Sequence, residues 1–432
     1  MKENPPTYNL KAVIHETGLT PATLRAWERR YGLLKPQRSS GGHRLYTQND
    51  IEMLKWLVAR QAEGLSISHA VEMWHSQRKT AAARLQSNAA LLTVPGTGDN
   101  MLDQLRNNWL AACLAFDEPA AELALAQALA IAAPELVCTE LLQKGLSELG
   151  EGWYAGTVSV QQEHFASALA IRRLNALLAI APAPTQPGRL LAACPPGEAH
   201  DLALLMLAFI LRWRGWEVVY LGANVPLVRL DATLRTTAPR LVLSVAQTLP
   251  GAASLRELAG YVNAHRIPLA FGGGIFNHIP DLIERIPGYF LGQELNTVHQ
   301  VIELLVTYQP ALPRAQAISP AYLAALAAFK EKEALIVSSV NAALKNGQID
   351  SRHLEEANAN LTRAVESALA LGEIRFLDYS VNWLNGLLTN YNLSPVLATQ
   401  YYAAYRQAVE QHLGSRAELL LDWLAKVEPA TR

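Results

Sequence analysis

Apolar residues recur at helical spacing over most of this 432-residue chain and change to short, dense runs only in its middle. The segment Tyr8 to Leu19 reads as an amphipathic helix ending at Gly18. Thr20, Pro21 and Ala22 then supply an N-cap and a proline at the first position of a second helix. Pro95, Gly96, Gly98 and Asp99 break the pattern and separate this head from Met101 to Ala181, an Ala- and Leu-rich stretch whose spacing predicts a small helical bundle. After Pro182, Pro184, Pro187 and Gly188 come five apolar runs, LLAAC, EVVYLG, LVLSVA, PLAFGGG and GYFLG, separated by amphipathic segments. That alternation, from Arg189 to Leu305, predicts a parallel sheet covered by helices. Pro310, Pro313 and Pro320 close the domain, and helical spacing resumes with breaks near Gly347, Gly372, Pro395 and Gly414. The expected organisation is a head over 1–85, a bundle over 101–181, a sheet domain over 189–307 and, beyond a proline-rich linker, a separate helical domain over 320–432.

Half of the residues are hydrophobic and 17% are charged, which excludes a disordered chain. The 37 Lys plus Arg nearly cancel the 38 Asp plus Glu, but residues 1–80 hold 12 basic side chains against 7 acidic ones, so a basic head precedes an acidic body. No apolar run approaches the about 18 residues that mark a membrane span, and Met1, Lys2, Glu3, Asn4 and Pro5 open the chain without a signal-peptide core. The expectation is a cytoplasmic protein without a membrane partner. Cys113, Cys138 and Cys194 are too few and too scattered for a disulfide framework or a thiolate metal site, and read as buried thiols.

The second helix of the head places Arg25 and Arg29 four residues apart on one face and Trp27 on another. Two helices joined by a short Gly-containing turn suit a helix-turn-helix, whose second helix enters the major groove. Lys35, Pro36, Arg38, Gly41, Gly42, His43, Arg44, Leu45 and Tyr46 follow as a cation-rich hairpin that can track phosphates. The run TPATLRAWERRYGLLKP, with the wing SGGHRLYTQNDI after it, resembles the MerR family of transcription regulators over residues 8 to about 75. That resemblance implies binding to a double-stranded DNA operator, with Thr20, Arg25, Arg29, Tyr31, Arg38, His43, Arg44 and Tyr46 at the contacts. Trp27 and Leu45 read as core.

In the sheet domain, Glu198 and His200 follow the first apolar run, at the strand end where open α/β sheets bind ligands. A carboxylate two residues before a histidine can hold one ring nitrogen while the other binds a metal. Ser244 follows the third strand, Gly272, Gly273 and Gly274 follow the fourth, and Gly292 ends the fifth, leaving room for a large ligand's tail. This ordered set resembles the cobalamin-binding domain shared by methionine synthase, the mutases and corrinoid proteins. The resemblance implies His200 as lower cobalt ligand, Glu198 as its orienter, and Ser244 and the glycines as cofactor contacts. Two departures from the family's Asp-x-His-x-x-Gly stand out, Glu198 for the aspartate and Ala203 for the glycine, whose methyl lies where the nucleotide tail normally passes.

The preceding bundle holds Trp153, then nine residues, then Glu163 and His164. On their own these read as a core tryptophan and a helix-surface histidine. Together with the head and the sheet motifs they resemble the CarH and LitR type of MerR photoreceptor over residues 8 to about 305. By that resemblance the cofactor is adenosylcobalamin, Trp153 covers the adenosyl group, Glu163 contacts it, and His164 takes the upper cobalt position once the group is lost. The protein is then a light-responsive repressor and a homo-oligomer, dimer or tetramer, without enzymatic turnover.

Residues 320–432 have no counterpart in that pattern. Phe376, Tyr379, Trp383, Tyr391, Tyr401, Tyr402 and Tyr405 read as an aromatic core or dimer face, or else as a pocket for a second tetrapyrrole near His353 or His412, held noncovalently because no cysteine is at hand. A regulator that senses cobalamin, redox state or a tetrapyrrole without photochemistry stays open, as does, less well suited to a basic head, a corrinoid methyl carrier. The fold class expected is multidomain α and α/β: winged helix-turn-helix, helical bundle, Rossmann-like cobalamin-binding domain and C-terminal all-α domain.

Overall fold

The computed structural model describes residues 8–31, 34, 37–38, 44–62, 67, 71, 98–345, 350–381 and 395–430, with the side chains of Arg29 and Arg38 among those left outside the description. The chain forms two compact units, residues 1–98 and 99–432.

In the first unit, β1 (Tyr8–Asn9) and β2 (Gln37–Arg38) pair antiparallel with β3 (Arg44–Tyr46), in register Tyr8 with Tyr46 and Arg38 with Arg44. Helices α1 (Leu10–Thr17), α2 (Pro21–Tyr31) and α3 (Gln48–Ala62) pack on a core of Val13, Leu24, Trp27, Tyr46, Leu54 and Leu57. The expected first helix loses its start to the sheet. Asn9 is extended, and its side chain accepts the N–H of Ala12 at 2.9 Å, so the helix begins at Leu10, two residues later than expected, behind a proper cap. Gly18 ends α1 in the left-handed conformation that glycine adopts without strain.

The second unit opens with the bundle. Helices α4 (Gly98–Leu114) and α5 (Glu118–Ile131) are followed by a helical stretch whose middle, Val137–Gln143, is wound as π-helix and which ends in α6 (Lys144–Tyr154). The last helix, α7 (Val160–Ala179), starts at a capping box between Ser159 and Gln162. Trp109, Leu125, Leu141, Leu169 and Leu174 fill the bundle, and Leu205, Met206, Phe209 and Ile210 of α8 (Leu202–Trp213) belong to the same core. The bundle therefore sits directly on the sheet domain.

All five apolar runs form strands: β4 (Arg189–Ala193), β5 (Glu217–Gly222), β6 (Leu241–Val245), β7 (Leu269–Gly272) and β8 (Tyr289–Phe290). They are parallel, in the order β5-β4-β6-β7-β8. Between them run α8, α9 (Leu230–Thr237), α10 (Leu249–Ala264) and α11 (Gly274–His278), and α12 (Leu295–Tyr308) follows. The chain turns from β5 on one side of β4 to β6 on the other. The carboxyl ends of β4 and β6 thus form the switch point where such sheets bind ligands.

The tail is not a separate body. Helices α13 (Pro320–Leu344), α14 (Ser351–Leu371), α15 (Pro395–Leu413) and α16 (Glu418–Ala430) share one continuous apolar core with α10 and the face of the sheet beneath it. The proline cluster bends the chain back onto the domain it has just left. Among the described residues, no helix is long and apolar enough to cross a membrane.

Candidate functional site

Strand β4 delivers the loop Cys194 to Asp201 to the switch point. Glu198 points inward and is only 1% exposed, whereas the His200 side chain is 64% exposed. Glu198 Oε1 pairs with His200 Nδ1 at 2.6 Å and accepts the His200 backbone N–H at 3.1 Å. Glu198 Oε2 accepts the backbone N–H of Gln247 at 2.9 Å and the Thr248 hydroxyl at 3.4 Å. Burial alone would raise the Glu198 carboxyl, but the hydrogen bonds from His200 and from the Gln247 and His200 N–H groups outweigh it and hold the carboxyl below its ordinary value. Beside a carboxylate favoured in its ionised form, Nδ1 is the nitrogen that carries the proton of a neutral ring, which leaves Nε2 on the far side as the available lone pair. The hydrogen bond to Glu198 raises the proton affinity of His200 in turn.

Both neighbours of β4 hold this loop in place. Gly197, at φ +79°, donates its N–H to Asn224 Oδ1 at 2.8 Å, and the Asn224 N–H returns to the Glu198 carbonyl at 2.9 Å. Tyr220 donates its hydroxyl to Asp201 at 2.8 Å. From the other side, α10 is capped by Thr248, whose hydroxyl accepts the Gly251 N–H at 3.0 Å. Sequence reasoning missed Asn224, Gln247, Thr248 and Gly251. The signal for the last three was an N-cap followed by Pro250 just after the third apolar run.

A second imidazole–carboxylate pair stands on α7. Glu163 Oε2 meets His164 Nδ1 at 2.8 Å, and Glu163 Oε1 accepts the Ser167 hydroxyl at 2.7 Å. His164 is 75% exposed. The Glu163 charge is among those that raise the proton affinity of His200. Half-buried Trp153 lies in the last turn of α6, and the Gly152 carbonyl accepts the N–H groups of both Thr157 and Val158, which keeps the connection to α7 short.

In the head, the Thr20 hydroxyl caps α2 by accepting the Thr23 N–H at 3.1 Å, and Arg25 is exposed one turn later. Tyr31 and Arg44 are half-buried. Trp27 is core, as expected.

Residues 8–77 match the family described as MerR HTH family regulatory protein, and residues 105–178 and 188–302 each match a B12 binding domain. The HTH-type transcriptional repressor CarH of Myxococcus xanthus is 34% identical over 236 residues, 55% of this chain and 77% of its own length. The repressor CarA of the same organism is 35% identical over 240 residues, 55% of this chain and 75% of its own. The chain belongs to the CarH family of MerR-type, cobalamin-binding transcription regulators. Among solved structures, the monomethylamine corrinoid protein of Methanosarcina barkeri covers 48% of this regulator and 98% of its own chain, at 17% identity and a TM-score of 0.38.

The residues of this CarH-type regulator fit a corrin with an imidazole beneath it. His200 offers Nε2 from a ring fixed by a buried carboxylate. A Cβ added to Gly272 or Gly292 would meet no atom within 4 Å, so open space runs along the strand ends. Gly273 is required for a different reason: at φ +122° its Cβ would strike the Ala246 carbonyl. Gly274 donates its N–H to Gln247 Oε1 at 2.8 Å. Ala203, the second residue of α8, is half-buried and packs against the core that α8 shares with the sheet.

Two residues expected at ligand contacts are elsewhere. Tyr46 is fully buried in the head's core and cannot reach DNA, while Leu45, expected inside, is half-exposed. Side chains alternate along a strand, and the phase of β3 is set by the pairing of Tyr46 with Tyr8. Ser244 is fully buried within β6, and its hydroxyl donates to the Ala193 carbonyl at 2.7 Å, tying β6 to β4 instead of facing the cleft. His43 and the side chains of Arg29 and Arg38 lie outside the described residues, as do Trp383 and Tyr391 of the tail.

Of the other tail aromatics, Phe376, Tyr401, Tyr402 and Tyr405 are buried in the core, where Tyr401 donates to Asn358 at 3.0 Å, and Tyr379 is half-buried. His412 Nε2 is hydrogen-bonded to the Ser339 hydroxyl at 2.8 Å. All three cysteines are free and buried, and burial pushes the Cys113 and Cys194 thiols up to about 12.

Proposed function

We propose that the protein is a light-responsive transcriptional repressor that binds adenosylcobalamin between the bundle and the sheet domain and holds operator DNA through its head. The observation that carries this reading is the Glu198–His200 pair at the switch point, a buried carboxylate holding an exposed imidazole; a second such pair, Glu163–His164, stands on α7 of the bundle that packs on this domain. Its relatives CarH and CarA are named as repressors.

Bound adenosylcobalamin supplies a cobalt–carbon bond that visible light breaks. With that group bound, His200 would hold the cobalt through Nε2, its ring fixed by Glu198. Trp153 and Glu163 would contact the adenosyl group and shield it from water. His164, its Nδ1 paired with Glu163, would offer Nε2 as a second ligand to the cobalt. Contacts made only with that group give the two states different free energies, which a switch requires. Trp153 and Glu163 belong to the bundle and His200 to the sheet domain, so the cofactor ties together two parts of one unit. Self-association into dimers and tetramers brings several heads to one operator and raises avidity through effective concentration. The reading involves no turnover of substrate and places the protein in the cytoplasm, where the operator is met.

The test is the visible spectrum of protein reconstituted with adenosylcobalamin, before and after green light, for the wild type and H200A. The reading predicts a light-dependent spectral change in the wild type and an altered starting spectrum in the variant. A wild-type spectrum indifferent to light removes the photochemistry and leaves a cobalamin sensor.

A further inference from the structure

The B12 binding domain match ends at residue 302, yet α14 and the segment after it touch the two segments that support His200. The first is α10. Gln247 and Thr248, at its start, hold the Glu198 carboxylate, while the rest of the helix packs along α14 in one continuous apolar core. The second is α11, which follows the glycine run. Its last residue, His278, stacks on Tyr379 of the tail with ring centroids 5.2 Å apart and planes 31° from parallel. Gln247 joins the two segments, because its backbone N–H goes to Glu198 and its side-chain oxygen accepts the Gly274 N–H.

An arginine staple fastens the tail to this support. Arg256 of α10 donates to the carbonyls of Arg285 and Gln316, and the Arg285 guanidinium reaches the Gly372 carbonyl at the end of α14 and lies over the Phe376 ring, 5.8 Å from its centroid. Gly372 stands at φ +77°, and a Cβ there would crowd Ile318 and Arg285.

We propose that the C-terminal helices are an intramolecular brace that positions the Glu198–His200 pair, with Tyr379 and Arg285 as the positioning residues. The proposal rests on the cobalamin reading of His200. Metal-binding histidines lose affinity when their outer supports are loosened, and such coupling is reciprocal between the two sites.

Hydrogen exchange on the cofactor-free, full-length protein and titration with hydroxocobalamin test it together. Y379L and R285Q should each speed exchange at residues 247–252 and 273–278 and weaken hydroxocobalamin binding by about tenfold. Hydroxocobalamin added to the wild type should slow exchange at residues 361–379. Two variants are used so that a failure of one to fold leaves the other to decide. H200A is the control. If H200A changes the affinity and spectrum while Y379L and R285Q both keep wild-type affinity and exchange, the brace is wrong. If H200A itself binds with wild-type affinity and an unchanged spectrum, the cobalamin reading fails and the brace with it.

Discussion

Replacing Gly251 by alanine should loosen cobalamin binding while leaving the protein folded. Gly251 is the third residue of α10, and its N–H is taken by the capping hydroxyl of Thr248. A methyl group there would overlap Glu198 Oε2 and come within 3.1 Å of both Glu198 Cδ and Thr248 Oγ1. The neighbour that must yield is a buried carboxylate held by the His200 ring and by two backbone N–H groups, so it has no free rotamer to move into. Alanine gains about 1 kcal/mol of helix propensity over glycine. Against this, each hydrogen bond to the ionised carboxylate contributes about 1.5–3 kcal/mol, and at least two are disturbed. The loss exceeds the gain and falls on the pair that presents His200. Removal of an outer partner of a metal-binding histidine typically costs about 10- to 100-fold in affinity. Titration of the cofactor-free variant with hydroxocobalamin, followed by visible absorbance, should give a Kd raised by that factor, with a Tm within a few degrees of the wild type. A wild-type Kd and spectrum would refute the idea that the start of α10 positions His200.

R44A and R25A should weaken operator binding and flatten its dependence on salt by about one unit of slope each, read by fluorescence anisotropy at several KCl concentrations, and unchanged slopes would remove both residues from the contacts. A203G should favour cobalamin over cobinamide, which lacks the nucleotide tail; an equal gain or loss for both ligands would show that the Ala203 methyl does not border the tail's path. The cofactor-free protein should also carry a pH signature. The hydrogen bond to Glu198 raises His200 above 6.5 in the fold, so its contribution is complete below that value and is lost as pH rises through the higher folded one. Glu198, which burial would raise but hydrogen bonds hold low, contributes above 4.5 and loses its contribution as pH falls through its folded value. Melting curves at about pH 6 and about pH 9 should therefore show a larger fall for the wild type than for H200Q, which has no ring to titrate, and parallel falls would contradict the pairing.

Much of the architecture was legible because its signals are local. The five apolar runs are strands because each is short and bounded by turn residues, and their parallel order follows from the helices between them. The Glu198–His200 pairing was legible because a carboxylate two residues from a histidine is a local pattern. What escaped is long-range. The support of Glu198 by Gln247 and Thr248 joins segments about fifty residues apart, and no spacing announces it. The packing of α14 on α10 was hidden for the same reason, and the proline cluster, which breaks helices wherever it occurs, was read as a linker when it is a bend. Tyr46 was misplaced through strand phase, since a shift of one residue exchanges the two faces, and the short β1 that fixes the phase carries almost no pattern of its own.

The central claim is that one molecule couples the cobalamin site to DNA. It is tested most directly by anisotropy of a fluorescent duplex, selected for binding in darkness, with the adenosylcobalamin-loaded protein before and after a pulse of green light. The account predicts tight, salt-sensitive binding in darkness and release after the pulse, with H200A failing to show the difference. Equal binding before and after light, with cobalamin confirmed on the protein in both samples, would contradict it.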